Sequence, residues 1–183
     1  MIGLRFGTAA DADAVFRISE ASLGNPWSRE SLRSEFDRPD TVRFLVAENG
    51  GGIVGFIHWW RILDEAQVMN LAVLPDHRRR GIGAALLREA IRLARNEGAS
   101  SMVLEVREGN TAARGLYGSA GFAALATRTG YYPDNGEIAV FMGLSFVQVR
   151  CFSCSSAMSG CVAVFVLTTL ANTPYTVRKL LFS

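Results

Sequence analysis

Cysteine is missing from residues 1 to 150, and Cys151, Cys154 and Cys161 are the three the chain has. A fold stapled by disulfides spreads its cysteines through the body it braces, so a disulfide-built secreted domain is excluded. No fourth ligand follows Cys161, and His58 and His77 lie far from Cys151-x-x-Cys154 in sequence, so no metal site is expected. Charge of one sign is not in excess either. A net charge of +2 with 20% charged residues is too balanced for a protein that grips nucleic acid by neutralising phosphates. The N-terminus has no basic stretch leading into an apolar run, so no signal peptide is expected and the cytoplasm is the compartment inferred. Long apolar runs are scarce: Cys161 to Ala171 is about half the length that a membrane-spanning helix needs.

What is there suffices for one substantial core, since 183 residues at 49% hydrophobic content make a single domain the default. The chain is organised around Asn70 to Gly98: an apolar strand, a Leu74-Pro75 turn, Arg78-Arg79-Arg80, the pair Gly81 and Gly83, and a helix. Leu86, Leu87, Ala90, Ile91, Leu93 and Ala94 recur at helical spacing, and Gly98 supplies the stop. The first turn of such a helix has backbone N–H groups without partners and the positive end of the dipole, which together attract phosphate. Glycines at 81 and 83 let the backbone curl around an anion, and the arginines add charge. A Walker loop is excluded by the absence of Lys-Ser or Lys-Thr after the second glycine, and a dinucleotide fingerprint by Leu86 where its third glycine belongs. Alone, the motif leaves a plainer alternative: a tight turn with solvated arginines.

Around it, residues 2 to 6 read as a strand, and Thr8 with Asp11 as a capping box opening a helix through Leu23. Ser28 caps a short helix carrying Leu32 and Phe36, with Trp27 just outside it as either a packing staple or a functional aromatic. Three antiparallel strands follow, over Thr41 to Ala47, Ile53 to Ile62 and Gln67 to Leu74. Ser101 to Arg107 is another strand, in which Glu105 is an acid among apolar residues, either an edge charge or a residue with a task. Asn110 caps a helix over Thr111 to Ala120 that carries Tyr117, read as a core tyrosine whose hydroxyl reaches a partner. Two last strands, 122 to 129 and 136 to 144, are joined through Tyr131-Tyr132-Pro133. The order implies an α/β protein: a mixed, mostly antiparallel sheet covered by helices.

The string R-x-x-G-x-G between strand and helix resembles the acyl-coenzyme A pyrophosphate loop of the GNAT acetyltransferase superfamily. Asn25-Pro26-Trp27-Ser28, Asp64-Glu65-Ala66, Asn70-Leu71-Ala72-Val73, Leu104-Glu105-Val106-Arg107, Leu116-Tyr117 and Tyr131-Tyr132-Pro133 further resemble the bacterial ribosomal-protein alanine N-acetyltransferases of the RimI type. The likeness runs in order over residues 2 to 144, with Arg78 where the family often has glutamine. It implies the GNAT fold for 1–144, acetyl-coenzyme A as cosubstrate and the N-terminal alanine of a ribosomal protein as acceptor. By the same resemblance Glu105 is the general base and Tyr117 the general acid. Leu71, Ala72 and Val73, then Arg78, Arg79, Arg80, Gly81, Ile82, Gly83 and Ala84, with Asn110 and Tyr117, contact the cofactor. Trp27, Asn70, Tyr131 and Tyr132 flank the peptide.

An α-amino group with a pKa of about 8 is partly neutral at neutral pH, whereas a lysine near 10.4 costs roughly 4 kcal/mol to deprotonate, so one carboxylate acting through water suits the N-terminus better. A GNAT enzyme acting on lysine, a polyamine or a small amine stays open as an alternative, as does a non-catalytic acyl-coenzyme A sensor or membrane-tethered module. Residues 145–183 contain no acidic residue and lie outside the resemblance; they are expected to be a poorly ordered extension, with a membrane anchor as the less favoured alternative.

Overall fold

The structure is a computed structural model and describes residues 2–24 and 26–146. The expectations for Asn25, for the three cysteines and for the extension beyond Phe146 fall outside the described residues.

The chain opens with strand β1 (Gly3–Phe6) and helix α1 (Ala12–Ser22). The turn before α1 is 3-10 rather than α-helical, over Ala9–Asp11. The capping box is present: the Asp11 carboxylate accepts from the Thr8 backbone N–H at 2.8 Å. Arg5 reaches from β1 to the same carboxylate (2.7 and 2.9 Å) and holds it down at a pKa of about 2. Helix α2 (Arg29–Phe36) starts where Ser28 Oγ accepts from the Ser31 N–H.

Strands β2 (Val42–Asn49), β3 (Gly52–Ile62) and β4 (Glu65–Val73) form an antiparallel meander. Helix α3 (Ile82–Asn96) carries the chain across to β5 (Ser101–Arg107), which lies parallel to β4. Gly98 adopts φ 89° and lets the Ala99 N–H return to the Ala94 carbonyl at 3.0 Å, closing the C-terminus of α3. Helix α4 (Thr111–Ser119) leads to β6 (Ala123–Arg128) and β7 (Ala139–Ser145), and the sheet order is β1-β2-β3-β4-β5-β7-β6. The mixed sheet is as the sequence implied, while the insertion of β7 between β5 and β6 has no local signal.

The strand alternation sorts side chains into two cores. Val15, Ile18 and Leu32 of α1 and α2 pack on Val42, Phe44, Val46, Phe56 and Ala72. On the other face α3 buries Leu86, Leu87, Ala90 and Ala94 against Ile57, Trp59, Met102 and Leu104. Leu86 and Leu87 have no exposed surface, so truncating either to alanine costs about 2–5 kcal/mol. Among the described residues no helix is long and apolar enough to cross a membrane.

Candidate active site

Two irregularities in the middle of the sheet open a cleft. The parallel ladder between β4 and β5 runs from Glu65↔Ser101 to Val68↔Leu104 and stops there. On the other edge of β4, His58 faces Asn70 but Trp59 faces Val68, so Met69 is an extra residue, a bulge. A bulge bends its strand, and here β4 leaves β5 just beyond it. The bulge also exchanges the faces: Ala66 and Val68 join the α3-side core before it, whereas Leu71 does so after it and Ala72 turns to the α1 side. The separated edges of β4 and β5 carry backbone N–H and C=O groups that no longer pair across the sheet.

The cleft so formed has a volume of about 510 Å³. Gln67 to Leu71 of β4 form one wall and Leu104 to Arg107 of β5 the other, with Ser22 to Gly24 after α1, Asn110, Ala113 and Tyr117 of α4, and Tyr131 and Tyr132 closing the ends. Glu105, Tyr117, Asn110, Asn70, Leu71, Tyr131 and Tyr132, seven residues singled out in sequence, therefore meet in one place although they span more than sixty positions.

Glu105 is half-buried and not an exposed charge: β7 pairs with it at Phe141, while the ladder to β4 has ended one residue earlier, at Leu104. Tyr131 packs edge-on against Phe141 at 6.1 Å. Burial first, and then the nearby Glu105 carboxylate, pushes the Tyr131 hydroxyl up to about 12. Burial does the same to Tyr117, also to about 12, so its hydroxyl stays protonated throughout the neutral range. The Tyr117 ring is 7% exposed and lies on Phe122 at 5.8 Å. Contrary to the expectation from sequence, its hydroxyl has no hydrogen-bond partner among the described residues, and it opens on the cleft instead. Asn110 spends its Oδ1 capping α4 through the Ala113 N–H at 3.1 Å, and its amide nitrogen has no partner among the described residues.

The arginine-glycine loop continues from the open end of β4. Gly81 is the N-cap of α3 at φ 77°, a conformation that favours glycine, and it brings no side chain to satisfy the first N–H groups of the helix. Ala85 N–H is the first to bond back, to the Gly81 carbonyl, leaving those of Ile82, Gly83 and Ala84 available. Arg79 also stands at positive φ, 61°, which is uncommon for a residue with a Cβ and curls the backbone ahead of α3. Arg78, Arg79 and Arg80 are exposed; Arg78 Nε donates to the Val73 carbonyl, and none of the three has a carboxylate partner among the described residues. Donors, charge and backbone curvature thus fit a diphosphate. Val73 and the loop lie beyond the 510 Å³ cleft, and Ala72 is turned into the α1-side core.

Trp27 is not on the cleft wall. It packs edge-on against His58 (5.4 Å) and Trp60 (6.1 Å), around a buried carboxylate that sequence reasoning missed. Glu35 accepts from Trp60 Nε1, and it lies 3.2 Å from His58 Nε2 and 3.2 Å from Arg38. On α2 it reads as one more exposed helix charge. Gln67 and Arg107 were missed as well, and each carries a signal: a polar side chain in a buried strand, and a charge next but one to Glu105. Among the described residues no cluster of three or more histidine, cysteine or acidic side chains could hold a metal.

A strand-loop-helix anion cradle joined to a cleft between splayed parallel strands defines an acyltransferase architecture, and the chain belongs to the acetyltransferase (GNAT) family, whose profile matches residues 12–122. The ribosomal protein bS18-alanine N-acetyltransferase of Escherichia coli K12 is 36% identical over 136 residues, covering 73% of this chain and 90% of its own length. The crystal structure of the ribosomal-protein-S18-alanine N-acetyltransferase from Escherichia coli superposes with a TM-score of 0.75 at 30% identity, covering 84% of this chain and all of that one. The Thermoplasma acidophilum PaiA N-acetyltransferase, solved in complex with coenzyme A, shares the fold at 20% identity, with a TM-score of 0.70 over 80% of this chain and 99% of its own.

Proposed function

We infer that this protein transfers the acetyl group of acetyl-coenzyme A to the N-terminal alanine of a ribosomal protein in the cytoplasm. The observation that carries this is the meeting of Glu105 and Tyr117, on different walls, in a cleft whose β4 edge runs directly into the anion cradle. The relatives at 30–36% identity, named for the acetylation of bS18 alanine, support the substrate class.

The Ile82, Gly83 and Ala84 N–H groups with Arg78, Arg79 and Arg80 hold the pyrophosphate. The free edge of Leu71 to Val73 pairs with the amide-bearing arm as a strand would, and Asn110 contributes its amide nitrogen. The thioester carbonyl then lies at the separation of the strands, where a β4 N–H stabilises its developing negative charge. Glu105 takes the proton that the α-ammonium must lose before it attacks the carbonyl carbon, through one water. As the carbon–sulfur bond breaks, Tyr117 donates to the departing sulfur. Asn70, Tyr131 and Tyr132 receive the peptide N-terminus, and Trp27 holds the α1–α2 side of the groove from behind, through His58 and Trp60.

The test is coenzyme A release with peptides that begin with alanine, serine or methionine against peptides with an internal lysine and a blocked N-terminus. The alanine peptide is expected to be preferred by at least about tenfold, because the lysine ammonium must first give up a proton roughly two units more tightly held. Preference for the lysine peptide contradicts the assignment.

A further inference from the structure

Arg107 stands two residues after Glu105, so both side chains lie on the same face of β5. It is bound up in the loop that carries Tyr131. Its Nη2 bonds both Asp134 carboxylate oxygens (3.0 and 3.1 Å), and its Nη1 bonds Asn135 Oδ1 and Glu137 Oε2 (each 3.3 Å). The guanidinium also lies 3.8 Å from the Tyr132 ring centre. Glu137 is tied in turn to the end of β5 by accepting from the Gly109 N–H at 2.8 Å. The loop folds on itself through the Gly136 N–H to the Tyr132 carbonyl at 2.7 Å. The adjoining residue, Tyr131, has its ring against Phe141, the residue paired with Glu105, and lines the same cleft as Glu105.

Ion pairs this exposed add little to stability; Asp134 is 60% exposed. A forked guanidinium with three oxygen-bearing partners and a stacked ring fixes geometry instead. Its four Nη bonds all go to the loop. We propose that Arg107 is a positioning residue for the reaction: it latches the Tyr132–Glu137 loop to β5 so that the Tyr131 phenol orients the Glu105 carboxylate in the cleft. This rests on Glu105 being the base.

The experiment measures kcat and KM for an N-terminal alanine peptide and, separately, acetyl-coenzyme A affinity, in Arg107→Gln, Arg107→Lys, Tyr131→Phe and the double variant Arg107→Gln/Tyr131→Phe. Arg107→Gln is expected to lower kcat about tenfold, within the roughly hundredfold that an ångström of misplacement costs, while acetyl-coenzyme A affinity stays within about twofold. Tyr131→Phe lowers kcat by a similar factor, and the double variant is no worse than the more affected single one, because both break the same link. Arg107→Lys does not restore activity, since an ammonium cannot make the fork. Full kcat in Arg107→Gln, or single effects that multiply in the double variant, overturns the proposal. Should Arg107→Gln fail to fold, Asp134→Asn/Glu137→Gln opens the latch from its exposed side, and unchanged kcat there overturns it equally. Full turnover in Glu105→Gln instead removes the base itself; loss of turnover there with multiplying Arg107 and Tyr131 effects removes the latch alone.

Discussion

The cleft and the loop beyond it, at the start of α3, are made of different material. At the α3 end the working groups belong to the backbone: N–H donors of a helix start, a strand edge freed beyond Val68, and two loop residues at positive φ, Arg79 and Gly81. At the Glu105 end they belong to side chains brought from β4, β5, α4 and the loop before β7. Backbone donors recognise any diphosphate held at the right curvature and tolerate many side-chain changes. Side chains aimed at one amine lose their function with one atom. The comparison predicts that variants at one end change cofactor affinity and variants at the other change turnover.

The largest effect is expected at Tyr117 among residues that leave the base intact. Tyr117→Phe removes a donor that is protonated up to a pH of about 12, and kcat should fall about 100-fold with acetyl-coenzyme A affinity retained, read by steady-state kinetics and calorimetry. Loss of affinity with kcat unchanged would move Tyr117 to the cofactor end. Next is Gly81→Val. At φ 77° a β-branched residue is strained by about 1–2 kcal/mol, so the loop opens and KM for acetyl-coenzyme A rises roughly tenfold at little change in kcat. The smallest effect lies away from both ends. Asp11 is held at about 2 against an ordinary 3.8, so the Arg5–Asp11 pair stabilises the fold above pH 3.8 and that contribution is lost as pH falls through 2. Since Arg5 is 40% exposed, the contribution is of order 1 kcal/mol. Asp11→Asn should lower the urea midpoint at pH 7 and converge on the parent protein near pH 2. A fourth expectation is an absence of effect: removing residues 147–183 leaves kcat and both KM values unchanged, and reduced turnover would bring the extension into the catalytic account.

This difference in material also decides what was legible from residues alone. The α3 end is contiguous, so Arg78 to Gly83 and the helical spacing after it are read within twenty positions. Glu105 was legible as an acid in an apolar strand, though its neighbour β7 comes from more than thirty residues later. The Met69 bulge was not legible, because an inserted residue in Val68-Met69-Asn70-Leu71 leaves the string strand-like throughout. Yet that bulge accompanies the separation of β4 from β5 and turns Ala72 away from the cleft. Trp27 shows the converse. Its sequence position allows a packing staple or a peptide-flanking aromatic; in the structure it packs against His58 and Trp60, beside the Glu35 carboxylate of α2. Resemblance alone places the tyrosine loop beside the peptide, and its tie to Arg107 depends on a turn closing over β5, which no spacing encodes.

One measurement separates the two ends most directly: acetyl-coenzyme A binding by calorimetry and turnover of an N-terminal alanine peptide, both on Glu105→Gln. Binding within about twofold of the parent, with kcat reduced by about 10²–10⁴, is the predicted result. Turnover that survives the substitution, or acetyl-coenzyme A binding that disappears with it, would contradict a cleft in which backbone holds the cofactor and Glu105 takes the proton.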